Sequence, residues 1–314
     1  MKNFININDV SDYNKLLNEA LDLKKTEIDI ATGKNKTLGL IFFNPSLRTR
    51  LSSYKAAQNL GMNVIELNFD KQGWKLEFNN NVIMNSNKAE HIKEAAQVIS
   101  QYCDIVGIRS FASLNDKKED EKETIIKSFK KYGTIPVINL ESSCYHPLQA
   151  LADAITINEM VEKKNPKIIL SWTPHIKPLP HAVANSFINM ANRLNYDIKI
   201  SNPKGYNLNK NITKGVEIIN DQEEAFKDAD IIYAKNWSSY DEYGKIIKTK
   251  KSWTIDNNKM NLTNNAIFMH CLPVRRNVVV KDEVLDSNRS VVAEQAKNRI
   301  YSAQIILKKI INEI

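Results

Sequence analysis

The chain has 314 residues, 44 Lys plus Arg against 36 Asp plus Glu for a formal charge of +8, and 42% apolar and 25% charged residues. That length suits about two domains with cores of their own, and the composition excludes disordered and fibrous classes. The longest apolar stretch, near Leu38 to Phe43, falls far short of the ~20 residues of a membrane span. The N-terminal segment lacks the apolar core and small-residue cleavage site of a secretory leader, so neither a membrane segment nor an export signal is expected. Cys103, Cys144 and Cys271 cannot all pair and lack metal-type spacing, which predicts a reduced, cytoplasmic protein. The lysines fall in scattered doublets such as Lys24-Lys25 and Lys250-Lys251 rather than a stripe. The excess charge therefore reads as solvated surface, not as a nucleic-acid interface.

Short apolar runs alternate with longer amphipathic stretches, the pattern of parallel sheets covered by helices. In the first half, strands are predicted at Thr37 to Phe43, Asn63 to Asn68, Asp104 to Arg109 and Ile135 to Leu140. Helices are predicted at Leu47 to Leu60, closed by Gly61, at Glu90 to Tyr102 and at Glu121 to Lys131. Pro147 to Glu162 reads as a joining helix. In the second half, strands are expected at Lys167 to Trp172, Asp197 to Ser201, Asp230 to Ala234 and Ala266 to Cys271. Helices are expected at Pro180 to Leu194, Asp221 to Lys227 and Glu294 to Ile311. This is an α/β protein of two doubly wound parallel-sheet domains. The prolines of Thr173 to Pro180 exclude helix and sheet interior and predict a stiff extended loop after a central strand, where ligands of such sheets bind.

The strongest local signal is Asn44-Pro45-Ser46-Leu47-Arg48-Thr49-Arg50. A buried strand ends, Asn-Pro breaks it, and a helix starts with Ser46 in a capping position. Unbonded N–H groups at the helix start, the positive end of its dipole, hydroxyls and a guanidinium together suit a phosphate-like anion. The plainer alternative is a capped helix with solvent-facing arginines. Arg109 follows another strand, and His146-Pro147-Leu148-Gln149 opens the joining helix, where a histidine also serves as a simple hydrogen-bonding group. His270-Cys271-Leu272-Pro273-Val274-Arg275-Arg276 places a thiol beside two guanidiniums after a strand. No Gly-x-Gly-x-x-Gly and no Walker-type Gly-Lys-Ser/Thr motif is present, which argues against a nucleotide-dependent enzyme.

Taken in order, Ser46 to Arg50, Arg109, His146 to Gln149 and His270 to Pro273 resemble the motifs of the aspartate/ornithine carbamoyltransferase family over essentially the whole chain. The resemblance implies a carbamoyl-phosphate domain at residues 1–146, with the last helix, 295–314, packing back on it, and an amino-acid domain at 147–294. It further implies a homotrimer with shared active sites, Trp74 being supplied by the neighbouring subunit, and no metal or organic cofactor. By the same resemblance Ser46, the Leu47 backbone, Arg48, Thr49, Trp74 and Arg109 hold the phosphate. Thr49, Arg109 and His146 face the carbonyl oxygen, where donors stabilise a developing oxyanion. Gln149 and the backbone around Cys271 and Leu272 hold the carbamoyl NH2, Arg299 reaches the same substrate, and Cys271 positions rather than attacks.

The departures from ornithine enzymes are chemically informative. Leu47 stands at the second position of the family's Ser-Thr-Arg-Thr-Arg. The Asp and Ser-Met-Gly loop that grips an α-ammonium is replaced by Ala234-Lys235-Asn236-Trp237, and Val274-Arg275-Arg276 follows the HCLP segment. An N-acylated ornithine has lost that positive charge, so cations in place of acids suit it. The chain accordingly resembles the N-acylornithine branch, with Gly73-Trp74-Lys75, Glu141, Asn185 and Glu294 to Arg299 as further matches and a trefoil knot implied in the proline-rich segment. Glu141 and Lys235 are expected near the ornithine portion, with Arg276, Asn185 and His175 meeting carboxylates. The residue before Glu90-His91-Ile92 is Ala89, where acetyl enzymes of the branch carry Glu. A Glu ~5 Å from a succinyl carboxylate repels it by roughly 3 kcal/mol at an effective dielectric near 20, so Ala89 favours a succinyl acceptor. A shift of one residue brings Glu90 there instead and favours acetyl.

Overall fold

The computed structural model describes residues 1–26, 29–69 and 73–314. The chain divides into two units. One comprises Met1–Ser113, Lys117–Leu148 and Arg299–Ile314, and the other Leu114–Asp116 and Gln149–Asn298.

The first unit contains α1 (Tyr13–Leu23), β1 (Thr37–Phe42), α2 (Arg48–Asn59), β2 (Asn63–Asn68), β3 (Leu76–Glu77), β4 (Glu90–His91), α3 (Ile92–Tyr102), β5 (Ile105–Arg109), α4 (Lys117–Lys122), α5 (Thr124–Tyr132) and β6 (Val137–Glu141). Its main sheet is parallel in the order β2-β1-β5-β6. Leu38, Leu40, Ile41 and Phe42 are all buried, as expected of a central strand covered on both faces. One face packs Ile41, Val106 and Ile108 against Ile92, Ala96, Ile126 and Phe129. Gly61 ends α2 with φ +75, and a Cβ there would lie 2.0 Å from the Ile30 carbonyl oxygen, so only glycine fits.

The second unit carries most of α6 (Pro147–Met160), then β7 (Lys167–Trp172), α7 (Ala182–Arg193), β8 (Asp197–Ser201), β9 (Glu217–Ile219), α8 (Gln222–Phe226), β10 (Ile231–Lys235), α9 (Asn257–Met260), β11 (Ile267–Met269), α10 (Asp282–Leu285) and the start of α11 (Val292–Ile311). Its sheet is also parallel, in the order β11-β10-β7-β8-β9. Thr173 to Pro180 contains neither helix nor strand.

In both sheets the connections leave the first strand in opposite directions. The switch falls between β1 and β5 in the first unit and between β7 and β10 in the second. Ligands of open parallel sheets bind outside the carboxyl ends at such points. Asn44 to Arg48 follows β1, Arg109 ends β5, Thr173 to Pro180 follows β7 and Lys235 ends β10.

All eight strands expected from the sequence are present, whereas α1, α9, α10 and the short β3, β4 and β9 lie outside the expected elements or replace part of one. The helix expected over Glu121 to Lys131 is two helices. Glu123 interrupts it in the left-handed conformation (φ 50, ψ 44) and turns its carboxylate inward to the Ser142 hydroxyl and the Cys144 N–H. Ser46 does not cap α2: Leu47 occupies the N-cap and makes no side-chain capping bond.

The cores generate a stability prediction. Phe268→Ala, at a fully buried position of the second unit, should cost about 3–5 kcal/mol, whereas Val98→Ala at a half-exposed helix position should stay within about 0.5 kcal/mol. Urea unfolding of the two variants checks the contrast.

Candidate active site

In the first unit the structure gathers Thr49, Arg109, Glu141, His146 and Arg299. Arg109 is buried at the end of β5, and its NH2 donates to Glu141 Oε2 at 3.2 Å. Its NH1 donates to the carbonyl oxygens of Asn44, at 3.1 Å, and Pro45. The guanidinium lies 4.0 Å above the Phe111 ring. Burial lowers its pKa, Glu141 opposes that, and nearby Arg48 lowers it further. His146 Nε2 sits 3.7 Å from Glu141 Oε2 and 3.5 Å from Arg299 NH2, which donates to Thr49 Oγ1 at 2.6 Å. This convergence of guanidiniums, hydroxyl and imidazole beside the start of α2 is suited to an anion and to charge developing on an oxygen. Arg50 is turned away, paired with Glu66 at 3.0 Å.

The loop that carries His146 is held from below. Asn139 Nδ2 donates to Ser142 Oγ at 2.9 Å and to the Tyr145 carbonyl at 3.3 Å, and Glu123 accepts from Ser142 and from the Cys144 N–H at 3.1 Å. Burial raises the Glu123 carboxyl pKa against these bonds, and burial first, then neighbouring acids, pushes the Cys144 thiol up to about 12.

Elsewhere in the same unit Trp74 is exposed and donates its indole N–H to Glu90 at 2.8 Å. Ala89 is exposed, its N–H bonded to the Lys75 carbonyl at 3.1 Å. Neither contacts Thr49, Arg109 or Arg299 through a bond among the described residues.

The second unit presents two clusters. In one, Gln149, Asp153, Tyr233 and Gln295 surround the His270 to Leu272 segment. Gln149 and Gln295 donate to Asp153 Oδ1 at 2.8 and 2.7 Å, and Tyr233 donates to Oδ2 at 3.0 Å. Burial, then Asp153 and Cys271, raise the Tyr233 pKa well above its ordinary value. Leu272 has φ +57, a left-handed conformation uncommon for a bulky residue, and its N–H donates to His270 Nδ1 at 2.9 Å.

In the other cluster Lys235, buried at the end of β10, lies near His175 and Arg275. Arg275 Nε donates to His175 Nε2 at 3.1 Å. Burial, then Arg275, Lys235 and Lys177, lower the His175 pKa against one backbone bond. Asn185 lies buried in the first turn of α7. A cavity of about 180 Å³ is lined by His175, Lys177, Asn236 and Lys245 among others. Arg276 does not join this cluster. It is committed to Asp286, at 2.7 and 2.8 Å, and to Asp282 at 2.8 Å. The arginine that sequence reasoning missed is its neighbour Arg275. Asp153 was missed too, although its place four residues after Gln149 on one helix was a readable signal.

The profile of the aspartate/ornithine carbamoyltransferase carbamoyl-P binding domain matches residues 2–159, and that of the Asp/Orn binding domain matches residues 180–310. The chain belongs to the aspartate/ornithine carbamoyltransferase family. This carbamoyltransferase is 46% identical to the N-succinylornithine carbamoyltransferase of Bacteroides thetaiotaomicron over 99% of both chains. It is 34% identical to the N-acetylornithine carbamoyltransferase of Xanthomonas campestris pv. campestris, over 100% of this chain and 98% of the other. Its fold matches that of a glutamate-to-proline variant of N-acetyl-L-ornithine transcarbamylase, solved with carbamyl phosphate and N-succinyl-L-norvaline, with a TM-score of 0.94, 34% identity and coverage of 99% and 100%. Acetylornithine transcarbamylase with acetylcitrulline matches with a TM-score of 0.92 at 33% identity, over 99% of each chain.

The segment carrying Trp74 and Ala89 has its own acid sensitivity. The Glu77 carboxylate is held down to about 2 by the Asn79 N–H, then the Lys88 ammonium and the Phe78 N–H, against a smaller push from burial. Its contribution to stability is complete above the ordinary value of 4.5 and is lost as pH falls from there through about 2. In an acid titration followed by Trp fluorescence, Glu77→Gln should flatten the response across that window.

Proposed function

We propose that this carbamoyltransferase moves the carbamoyl group of carbamoyl phosphate to the δ-amine of N-succinyl-L-ornithine, giving N-succinyl-L-citrulline and phosphate, in arginine biosynthesis. The observation that carries the reading is the full-length likeness, at 46% identity, to an N-succinylornithine carbamoyltransferase. The geometry supplies the chemistry. The start of α2, which lacks a side-chain cap, holds the phosphate with Ser46, the Leu47 backbone, Arg48, Thr49 and Arg109. Thr49, Arg109 and His146 stabilise the carbonyl oxygen as the tetrahedral centre forms. Gln149 and the backbone of Cys271 and Leu272 hold the carbamoyl NH2, and Arg299 orients Thr49 and His146. The neutral δ-amine attacks the carbonyl carbon, the C–O bond to phosphate breaks, and the departing phosphate takes the amine proton. Fixing both substrates in reacting orientation supplies much of the acceleration.

For the acceptor, the cations Lys235 and Arg275 stand beside a His175 held toward its neutral form, and Arg275 replaces Arg276 as the group that meets a carboxylate, with Glu141 and Asn185 beside the ornithine portion. Ala89 leaves the succinyl end unopposed. The presence of an N-succinyl ligand in a glutamate-to-proline variant of an acetylornithine enzyme supports that reading of the missing glutamate. The homotrimer, the knot in the proline-rich segment and the cytoplasmic location belong to the same proposal. The exposed apolar side chains of the first unit, Leu47, Leu51, Ile65, Trp74 and Ile83, support an assembly that covers them and lets Trp74 close a neighbour's site.

A colorimetric citrulline assay with carbamoyl phosphate and ornithine, acetylornithine or succinylornithine tests the reaction. Turnover with succinylornithine above the other two is expected, and preference for acetylornithine would replace the acceptor assignment. Arg275→Met should raise KM for succinylornithine at least ~10-fold, the weight of one charged hydrogen bond, with Arg276→Met changing it far less. Ala89→Glu should cut succinylornithine turnover ~100-fold, the equivalent of roughly 3 kcal/mol of repulsion. Cys271→Ala should keep measurable turnover, since no covalent intermediate forms there.

A further inference from the structure

Asp153 is completely buried on α6, one helical turn after Gln149, and is the meeting point of three donors. The His270 backbone N–H can only donate, and it does so to Gln295 Oε1 at 2.9 Å. The other end of the Gln295 amide, Nε2, is therefore the end that faces Asp153 Oδ1 at 2.7 Å. Asp153 Oδ1 is thus an acceptor whichever way the Gln149 amide lies. The Gln149 amide end at 2.8 Å from the same oxygen must then also be its NH2. Gln149 Oε1 is left at the opposite end, buried and with no hydrogen-bond partner among the described residues. A buried acceptor left without a donor is costly and calls for an explanation.

We infer that Asp153 is a positioning residue that locks the Gln149 side-chain amide with its oxygen presented as an acceptor, so that the donor substrate is selected for an NH2 group. This rests on the reading that carbamoyl phosphate is the donor. Were the Gln149 amide to rotate end for end, its NH2 would meet the carbamoyl NH2, donor against donor. Asp153 forbids that rotation, because two oxygens would then face each other. The same carboxylate binds Tyr233, which reaches the Cys271 thiol, and Gln295, which holds the His270 backbone. One buried acceptor thereby sets Gln149 and the His270 to Leu272 segment together.

Acetyl phosphate is the informative probe, since it keeps the phosphate and the carbonyl and replaces only NH2 by methyl. Calorimetric titration of the wild-type enzyme should show carbamoyl phosphate bound at least ~10-fold more tightly than acetyl phosphate. In Asp153→Asn, whose amide can donate to Gln149 Oε1 and so accommodates the rotated form, that ratio should fall to within ~3-fold, with inorganic phosphate binding unchanged. A ratio that survives in Asp153→Asn overturns the inference. If that variant does not fold, the wild-type protein still decides. The Gln149 side-chain amide protons, assigned by their loss in Gln149→Leu, should exchange slowly in nitrogen-15 spectra, and fast exchange overturns the lock. Failure of the proposed function has a different signature, in which the wild-type protein binds neither acyl phosphate while the slow exchange of Gln149 remains.

Discussion

A guanidinium buried at the mouth of a parallel sheet is the constraint on which the first unit depends. Arg109 ends β5 with almost no exposure, where an unmatched charge is strongly disfavoured. It is matched from both sides, by Glu141 at the end of β6 and by the carbonyl oxygens that follow β1. One side chain thus ties together the carboxyl ends of three adjacent strands, and the chemistry-bearing segments begin at those ends. With Arg48 and Arg299 close by, one carboxylate faces several cations. A dianion is the partner that balances such a set.

The second unit is organised around the opposite element, a buried acceptor. Asp153 takes donors from α6, β10 and α11, so its neighbours are fixed by a carboxylate rather than by a cation. Such a network rigidifies what it holds only when every member is satisfied. The single acceptor left over, Gln149 Oε1, therefore stands out as the place where the network is completed from outside. The uncapped start of α2 in the first unit follows the same logic, since a side-chain cap would occupy the N–H groups that an anion needs.

The parallel-sheet framework was legible in the residues because buried strands read as continuous apolar runs, and all eight of those expected are present. β9 has three residues and lies at a sheet edge, too short for periodicity to mark. The break at Glu123 was illegible for another reason. Its helical pattern is sound, but a buried carboxylate serving Ser142 and Cys144 outweighs local propensity, and that partner lies some twenty residues away in the chain. The motifs marked residues that gather at the candidate site, while the supports beneath them depend on tertiary neighbours that spacing does not reveal.

The choice between adjacent arginines shows this at the smallest scale. Residues 275–281 form a tight turn in which the Asn277 N–H bonds the Val280 carbonyl at 2.7 Å and the Val279 N–H bonds the Arg275 carbonyl at 2.9 Å. The turn sets Arg276 beside Asp282 and Asp286, a pair of carboxylates one helical turn apart that matches a guanidinium fork. Arg276 is thereby spent on holding the loop, and Arg275 is directed to His175. Because burial and three cations keep that imidazole toward its neutral form, it accepts from Arg275 without cancelling its charge. Among the described residues no carboxylate pairs with Arg275, so the positive charge of Arg275 and Lys235 stays available to an acidic ligand. Asp282 at the start of α10 and Asp286 at its C-cap are thus what divides two adjacent arginines into one held by carboxylates and one turned to His175.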